Sequence, residues 1–397
     1  MNKKLFHIVI GSLTVILICL LFANVFNPQL VCAEEQSNQV EFELNDYIDG
    51  QLGRLDLEKL QEYLDSLEKF PKKNIIERLK EYIQNEAFDY EKFTEGILDV
   101  LFENVKSLFP VFACIMAIAL ISGILITLKS DSRSNSATEM IYFLCFIAAL
   151  IPLLSVIIEV FRKTINAVTA MQEQMQIVFP IILTLLSASG GTVTASICKP
   201  AVGFFATSIV SIFTKVVLPL SVTIVAFSIA GNFTKDLKIG KFTAFFKSIN
   251  KWIIGICVSV FGIFFTLQGL TAASYDGIMR RAAKYAIGSG VPIIGGFLSG
   301  GFDLAVAGSI LIKNALGSLG IFLMLAVLFE PVVFIITVNI LLRFTSAVTQ
   351  PLGNTRISDF LSETAEHLHY CTAGLLLTAF MYFLCILLMI CSSEAIL

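Results

Sequence analysis

The chain has 397 residues, 56% of them hydrophobic and only 15% charged, against about 25% charged residues in soluble domains. That excludes an ordinary soluble enzyme and points to a polytopic membrane protein. The net charge of −3 hides an asymmetry: residues 34–107 hold 19 acidic and 9 basic side chains, so the remainder is net positive by seven, without the concentrated basic patch that nucleic acid requires.

Residues 1–33 read as a secretory signal peptide, with Lys3 and Lys4 before an apolar core at 13–22 and Val31-Cys32-Ala33 before Glu34. An uncleaved anchor is the alternative, and either way the following residues are exported. Residues 34–107 have the pattern of an acidic, extracytoplasmic helical module. Asp56 is placed to cap a helix carrying Leu57, Leu60, Leu64 and Leu67, which Pro71 ends. A second helix starts near Lys73, with Ile75, Ile76, Leu79 and Ile83 inward. Asp89 is placed to cap a third, carrying Phe93, Ile97, Val100 and Leu101 towards the membrane.

A crossing helix needs about 20 mostly apolar residues. Runs 109–128 and 141–161 qualify, and the loop between them, with Lys129 and Arg133, suits the cytoplasm. Residues 108–138 therefore read as the first span and its cytoplasmic loop. The strongest basic stretch, 232–251, holds Lys235, Lys238, Lys241, Lys247 and Lys251 against Asp236 and is also expected inside. An odd number of crossings must then lie between 177 and 231, yet two apolar runs are available, 177–198 and 204–230. The first contains Pro180 and Gly190-Gly191 and is the one expected to turn back.

The same order recurs. Run 252–271 is a span with Trp252 at its edge; 275–290, with Arg280, Arg281 and Lys284, is amphipathic; 291–313 is broken by Pro292, Gly295-Gly296 and Gly300-Gly301; and 317–342 returns to Arg343. Lys199-Pro200-Ala201-Val202-Gly203 parallels Lys313-Asn314-Ala315-Leu316-Gly317, with prolines at similar distances on both sides. Residues 139–235 and 236–345 thus read as two copies of a membrane repeat, parallel because both start from a basic loop. Residues 346–397 read as a cytoplasmic loop and a last span at 371–391. The expected fold class is all-α: about six spanning helices, two glycine-broken re-entrant elements in a parallel internal repeat, and a small exported helical module.

No catalytic constellation stands out. The nine cysteines contain no CxxC pair, and His7, His367 and His369 do not make a metal set, so neither metal nor cofactor is expected. The candidate pathway or structural residues are polar groups inside apolar runs. Glu330 precedes Pro331, and a charge at mid-membrane costs about 2.5–3.5 kcal/mol on insertion scales. Asp303, Lys199 and Lys313 sit at or beside the broken runs, with Gly300 and Gly301 at the second break. For both lysines, snorkelling to the headgroups is the favoured reading.

Asp276-Gly277-Ile278, Ala282-Ala283-Lys284-Tyr285, Pro292-Ile293-Ile294-Gly295, Lys313 to Gly317 and Gln350-Pro351-Leu352-Gly353 together resemble the stage III sporulation protein AE family of endospore-forming bacteria, over most of the chain. The resemblance implies a permease-like, non-enzymatic component of a channel or secretion-like apparatus in the mother-cell membrane around the forespore, with residues 34–107 in the intermembrane space. The implied partners are the other stage III operon membrane proteins and their ATPase, with the forespore stage II protein Q indirectly. Two alternatives stay open: an autonomous secondary transporter, for which the parallel repeat and the intramembrane acids speak, and a membrane scaffold with no pathway of its own.

Overall fold

The computed structural model describes parts of 50–66 and 74–79, and residues 90–129, 135–233, 239–290, 295–352 and 355–391, with the side chains of 66, 90–98, 126–129, 135–138, 193, 197, 201, 205, 267–290, 295–305, 352 and 355 outside that description. The signal-peptide reading, the Asp56 and Asp89 caps, Pro71 and Pro292 all lie outside the described residues. What is described is helical: α1 (Glu58–Ser66), α2 (Tyr90–Lys129), α3 (Asn135–Ala188), α4 (Thr192–Ile212), α5 (Leu218–Phe233), α6 (Gly240–Gly290), α7 (Gly295–Thr349), α8 (Thr355–His367) and α9 (His369–Cys391). Among the described residues, six helices or helix pairs are long and apolar enough to cross a membrane.

The helices are far longer than single spans. At about 1.5 Å per residue, the 54 residues of α3 rise about 80 Å, against about 30 Å of hydrocarbon. A buried stripe explains the continuity. Phe146, Ala149, Leu153, Val156, Val160, Thr164, Val168, Met171, Met175, Val178, Ile182 and Leu185 are all buried, spaced three or four apart. That is one helical face held in phase through Pro152 and Pro180. In α2 the stripe is Leu108, Phe112, Ile115, Ala119 and Ser122, and the helix continues through Pro110.

This continuity changes the expected membrane path. Run 141–161 and the first part of run 177–198 are two parts of one continuous helix, α3. The chain reverses at Ser189–Gly191, where Gly190 has φ 91°, a left-handed value that favours glycine. The Gly191 N–H donates to Leu186 O at 2.9 Å, and a Cβ on Gly191 would fall 2.6 Å from the Leu186 side chain. The return path is α4, a π-helical segment at Phe213–Val217, and α5. In the π segment Leu218 N–H donates to Phe213 O, one residue further back than in an α-helix; the next residue, Pro219, has no N–H to give.

Two sequence expectations are corrected here. Gly300-Gly301 does not break the chain, because α7 is helical without interruption from Gly295 to Thr349. A glycine inside a helix costs only about 1 kcal/mol, and the buried stripe from Ile312 through Leu316, Leu319 and Leu323 to Ile335, Val338 and Leu342 outweighs it. The loop expected over 344–368 is also largely helical. Its residues 355–367 form α8, which buries Ile357, Phe360, Leu361 and Ala365.

The helices form an elongated bundle with two ends. At one end Tyr142 OH donates to Asn232 O at 3.1 Å, Phe143 meets Phe233 edge-on, and Ser346 bonds Ser358 O. There lie the end of α2, the start of α3, the end of α5, the start of α6 and the end of α7. At the other end lie the Ser189–Gly191 turn, the end of α6, the start of α7 and the end of α9. α3 and α7 run antiparallel at the centre, and α9 packs on both. Phe179 and Tyr382 stack edge to face at 5.3 Å. Gly317 and Gly320 admit Ile390 and Ile386 so closely that a Cβ would fall 2.4 Å and 2.9 Å from their Cδ1 atoms. Near α1, Leu52, Leu57, Leu60, Leu64, Ile75 and Leu79 make a small core, tied by Ile75 N–H to Gln61 Oε1 at 2.7 Å.

Candidate functional site

A layer of polar side chains crosses the bundle between the level of Pro331 and the end at which Asn232 lies, where the helices are least regular. Pro331 lies in α7, the π segment separates α4 from α5, and Leu368 separates α8 from α9. The freed backbone groups there attract polar partners. Asn250 of α6, fully buried, donates to Ser221 Oγ at 3.0 Å and to Val217 O at 3.4 Å, while Ser221 also bonds Val217 O at 2.8 Å. Tyr370 OH donates to Lys247 O at 3.3 Å, and Lys247 Nζ lies 3.7 Å from Glu366. α6 is therefore tied both to the π segment and to the start of α9.

On the opposite side of α9, Asn339 donates to Ala365 O at 2.7 Å and accepts from Arg343 Nε at 2.7 Å. A second Arg343 nitrogen lies 3.5 Å from His369 Nε2. Nearer the loop end, Glu363 accepts from Ser228 Oγ at 2.5 Å and from Asn232 Nδ2 at 3.1 Å. His367 is fully buried with no hydrogen-bond partner on either ring nitrogen.

Glu330 belongs to this layer. Its Oε1 accepts from Lys163 Nζ at 2.8 Å, and the same ammonium stands 5.0 Å from the centroid of the Phe334 ring. The pair joins the two central helices 167 residues apart in sequence and is partly exposed, at 26% for Lys163 and 43% for Glu330. Reversing either charge alone would place like charges in contact. We expect Lys163→Glu or Glu330→Lys to cost about 1–3 kcal/mol and the double reversal to recover most of it, measured as the thermal midpoint of the purified protein. Unchanged midpoints in both single variants would show that the pair does not stabilise the fold.

The remaining sequence candidates do not converge. Lys313 is fully buried, and its ammonium donates to Ile390 O at 2.7 Å, in the last turn of α9. That corrects the snorkelling reading: the side chain is an internal C-terminal cap. Lys199 is exposed on α4, so the two lysines that the repeat aligns occupy different environments. Both halves of the chain are nonetheless long helical hairpins. Asp303, Gly300 and Gly301 lie in the first turns of α7, and their side-chain surroundings are outside the described residues.

The sequence reading passed over Lys163, Gln174, Asn250, Arg343 and Glu363. For Gln174 a signal existed: it falls on the buried stripe of α3. Fully buried, it donates to Leu323 O at 3.1 Å and to Tyr63 OH at 3.0 Å, docking α1 against the bundle. Burial, opposed in part by that hydrogen bond, raises the Tyr63 hydroxyl above its usual range, so it stays protonated at any physiological pH.

Chemically, the layer is a set of ties between helices. Its charged groups are engaged with one another (Lys163 with Glu330, Lys247 with Glu366) or with neutral side chains, as Glu363 is with Ser228 and Asn232. Among the described residues no cluster of His, Cys, Asp or Glu is arranged to hold a metal ion.

The sequence model of the family described as stage III sporulation protein AE matches residues 72–393. A protein of Bacillus subtilis (strain 168) described as stage III sporulation protein AE is 22% identical over 317 residues, covering 80% of this chain and 79% of that protein. No solved structure matches significantly.

Proposed function

Since the chain belongs to the stage III sporulation protein AE family, and so has a role in sporulation, we propose that it is the non-enzymatic, multi-pass base of a membrane assembly linking mother cell and forespore. In this reading it sits in the mother-cell membrane and works with the other stage III operon membrane proteins and their ATPase, and through them with the forespore stage II protein Q. The observation that carries the reading is the family match over residues 72–393 on a chain with six membrane-length apolar helical segments.

Loop charge sets the orientation. Lys129 at the end of α2 and Lys241 at the start of α6 lie at one end of the bundle, and the stretches that follow α2 and α5 in sequence add Arg133, Lys235 and Lys238; such an excess belongs in the cytoplasm. Six alternating crossings satisfy this with no re-entrant segment, because α3 takes in run 141–161 and the first part of run 177–198. The Ser189–Gly191 turn then faces the exported side. So does the α1 region, which docks on α3 at Gln174, 13 residues beyond Phe161.

Within one chain the polar layer is packed between helices that it ties to one another, which favours a packed base over a self-contained tube. Any conduit is then formed between this chain and its neighbours. The mutual packing also speaks against an autonomous transporter.

The test is a deletion strain and a tagged full-length chain. We expect deletion to arrest development after engulfment, and the tagged chain to co-purify with the other operon membrane proteins from sporulating cells. Normal spore yield without the protein would contradict the reading, as would transport by the purified chain alone in liposomes.

A further inference from the structure

The apolar cavity between α3 and α5 lies outside the polar layer and has no part in the reading above. It has a volume of about 420 Å³. Its walls are Ile157, Ile158 and Ile165 of α3 and Val222, Val225 and Ile229 of α5, with Ala226 leaving room between them. Ile158 is 63% exposed and Val222 49%, so the cavity is an open groove on the outside of the bundle. It is apolar for most of its length and polar only where Arg162 and Asn166 join its lining. Arg162 is 66% exposed and reaches the Glu159 carboxylate three residues back. One guanidinium carries five N–H donors in a planar fork, so the Glu159 contact leaves others facing the groove mouth.

We propose that this groove is a phospholipid site, the acyl chain lying along the aliphatic walls and the phosphate held by Arg162 with Asn166. Three features of the groove select this occupant. It runs from Leu154 to Asn166 along α3, about 18 Å at about 1.5 Å per residue, close to one leaflet of an approximately 30 Å hydrocarbon core. Its volume of about 420 Å³ spread over that length makes it narrow, the shape of a single extended chain. The polar end offers a forked guanidinium, the geometry that matches a phosphate, and it begins one residue past the apolar run 141–161, where a headgroup region follows a span. The proposal depends on the bundle being in a membrane, not on its place in a sporulation assembly. Its test on purified protein therefore fails or succeeds independently of the deletion experiment.

The experiment is native mass spectrometry of the full-length protein, released from dodecyl maltoside micelles after titration with phosphatidylglycerol. The wild type is expected to retain one phospholipid per chain. Ala226→Phe, which fills the groove, should abolish that adduct. Arg162→Gln, on an exposed side chain that carries no packing, should weaken it about tenfold, while Arg162→Lys should keep part of the affinity. Arg162→Gln also guards against misfolding of the groove-filling variant. Retention of the adduct by both Ala226→Phe and Arg162→Gln would overturn the site. So would displacement of the phospholipid by dodecyl maltoside to the same extent in wild type and Arg162→Gln, because that would leave a greasy groove with no phosphate recognition.

Discussion

Gly374→Leu is expected to abolish the folded protein, and Gly374→Ala to destabilise it measurably. A Cβ on Gly374 would fall 1.6 Å from Cε2 and 1.7 Å from Cζ of Phe213, and Phe213 is buried at 3% exposure. The ring opens the π segment, so it is held by the geometry that Pro219 imposes on the helix and has little room to retreat. Overpacking of this kind costs about 1–3 kcal/mol and sometimes more. The contact also seats α9, whose spanning window is the most deeply buried of the six. The decisive comparison is a double-mutant cycle. Gly374→Ala and Phe213→Ala should each lower the thermal midpoint, and the double variant should lose less than their sum, with a coupling of at least about 1 kcal/mol. Strict additivity would mean that the glycine is not there to admit the ring.

The second large effect is expected at Lys313. Its side chain is among the largest fully buried ones, and its ammonium reaches Ile390 O, in the last turn of α9, where helix carbonyls have no partner of their own and a cation is favourable. Lys313→Ala removes the cap and leaves a void, so we expect a loss of about 2–5 kcal/mol. Lys313→Met keeps most of the volume and removes a buried charge, and should cost clearly less. If the lysine instead reached a headgroup, Lys313→Ala would leave the midpoint nearly unchanged. The same pair of variants therefore separates an internal cap from a snorkelling surface residue.

The sequence disclosed the class of the protein, the segments and the turn, but not how the segments join. Apolar windows located the membrane-length stretches, and Gly190-Gly191 marked the reversal that the structure has. What misled was the weight given to glycine and proline as breakers. Pro180 in α3, and Gly300-Gly301 in α7, fall inside continuous helices, because a buried stripe running along each helix outweighs their local cost. Length was therefore underestimated: 141–161 and 177–198 looked like two elements, whereas α3 runs on to Ala188, and the odd number of crossings then seemed to demand a re-entrant run.

The polar layer was legible only in part. Glu330 stood out because a charge inside an apolar run is costly, but its partner Lys163 lies 167 residues away, and no local pattern connects them. Lys313 was singled out for its position in a repeat, whereas its role comes from α9, which arrives from the far end of the chain. Gln174 and Asn250 could have been found by asking which polar residues fall on a buried stripe. Nothing local announces the π segment, since it depends on Pro219 combined with side-chain donors from α6.

The account rests on two long helical hairpins that run from one end of the bundle to the other, with the basic links inside the cell and the Ser189–Gly191 turn outside. Cysteine labelling in intact cells tests this most directly, using a chain whose native cysteines have been replaced. Thr192→Cys, at the exposed start of α4, should react with a membrane-impermeant maleimide from the exported side. Lys241→Cys, at the exposed start of α6, should react only after the membrane is permeabilised. Labelling of both positions from the same side, or of Thr192→Cys only after permeabilisation, would contradict it.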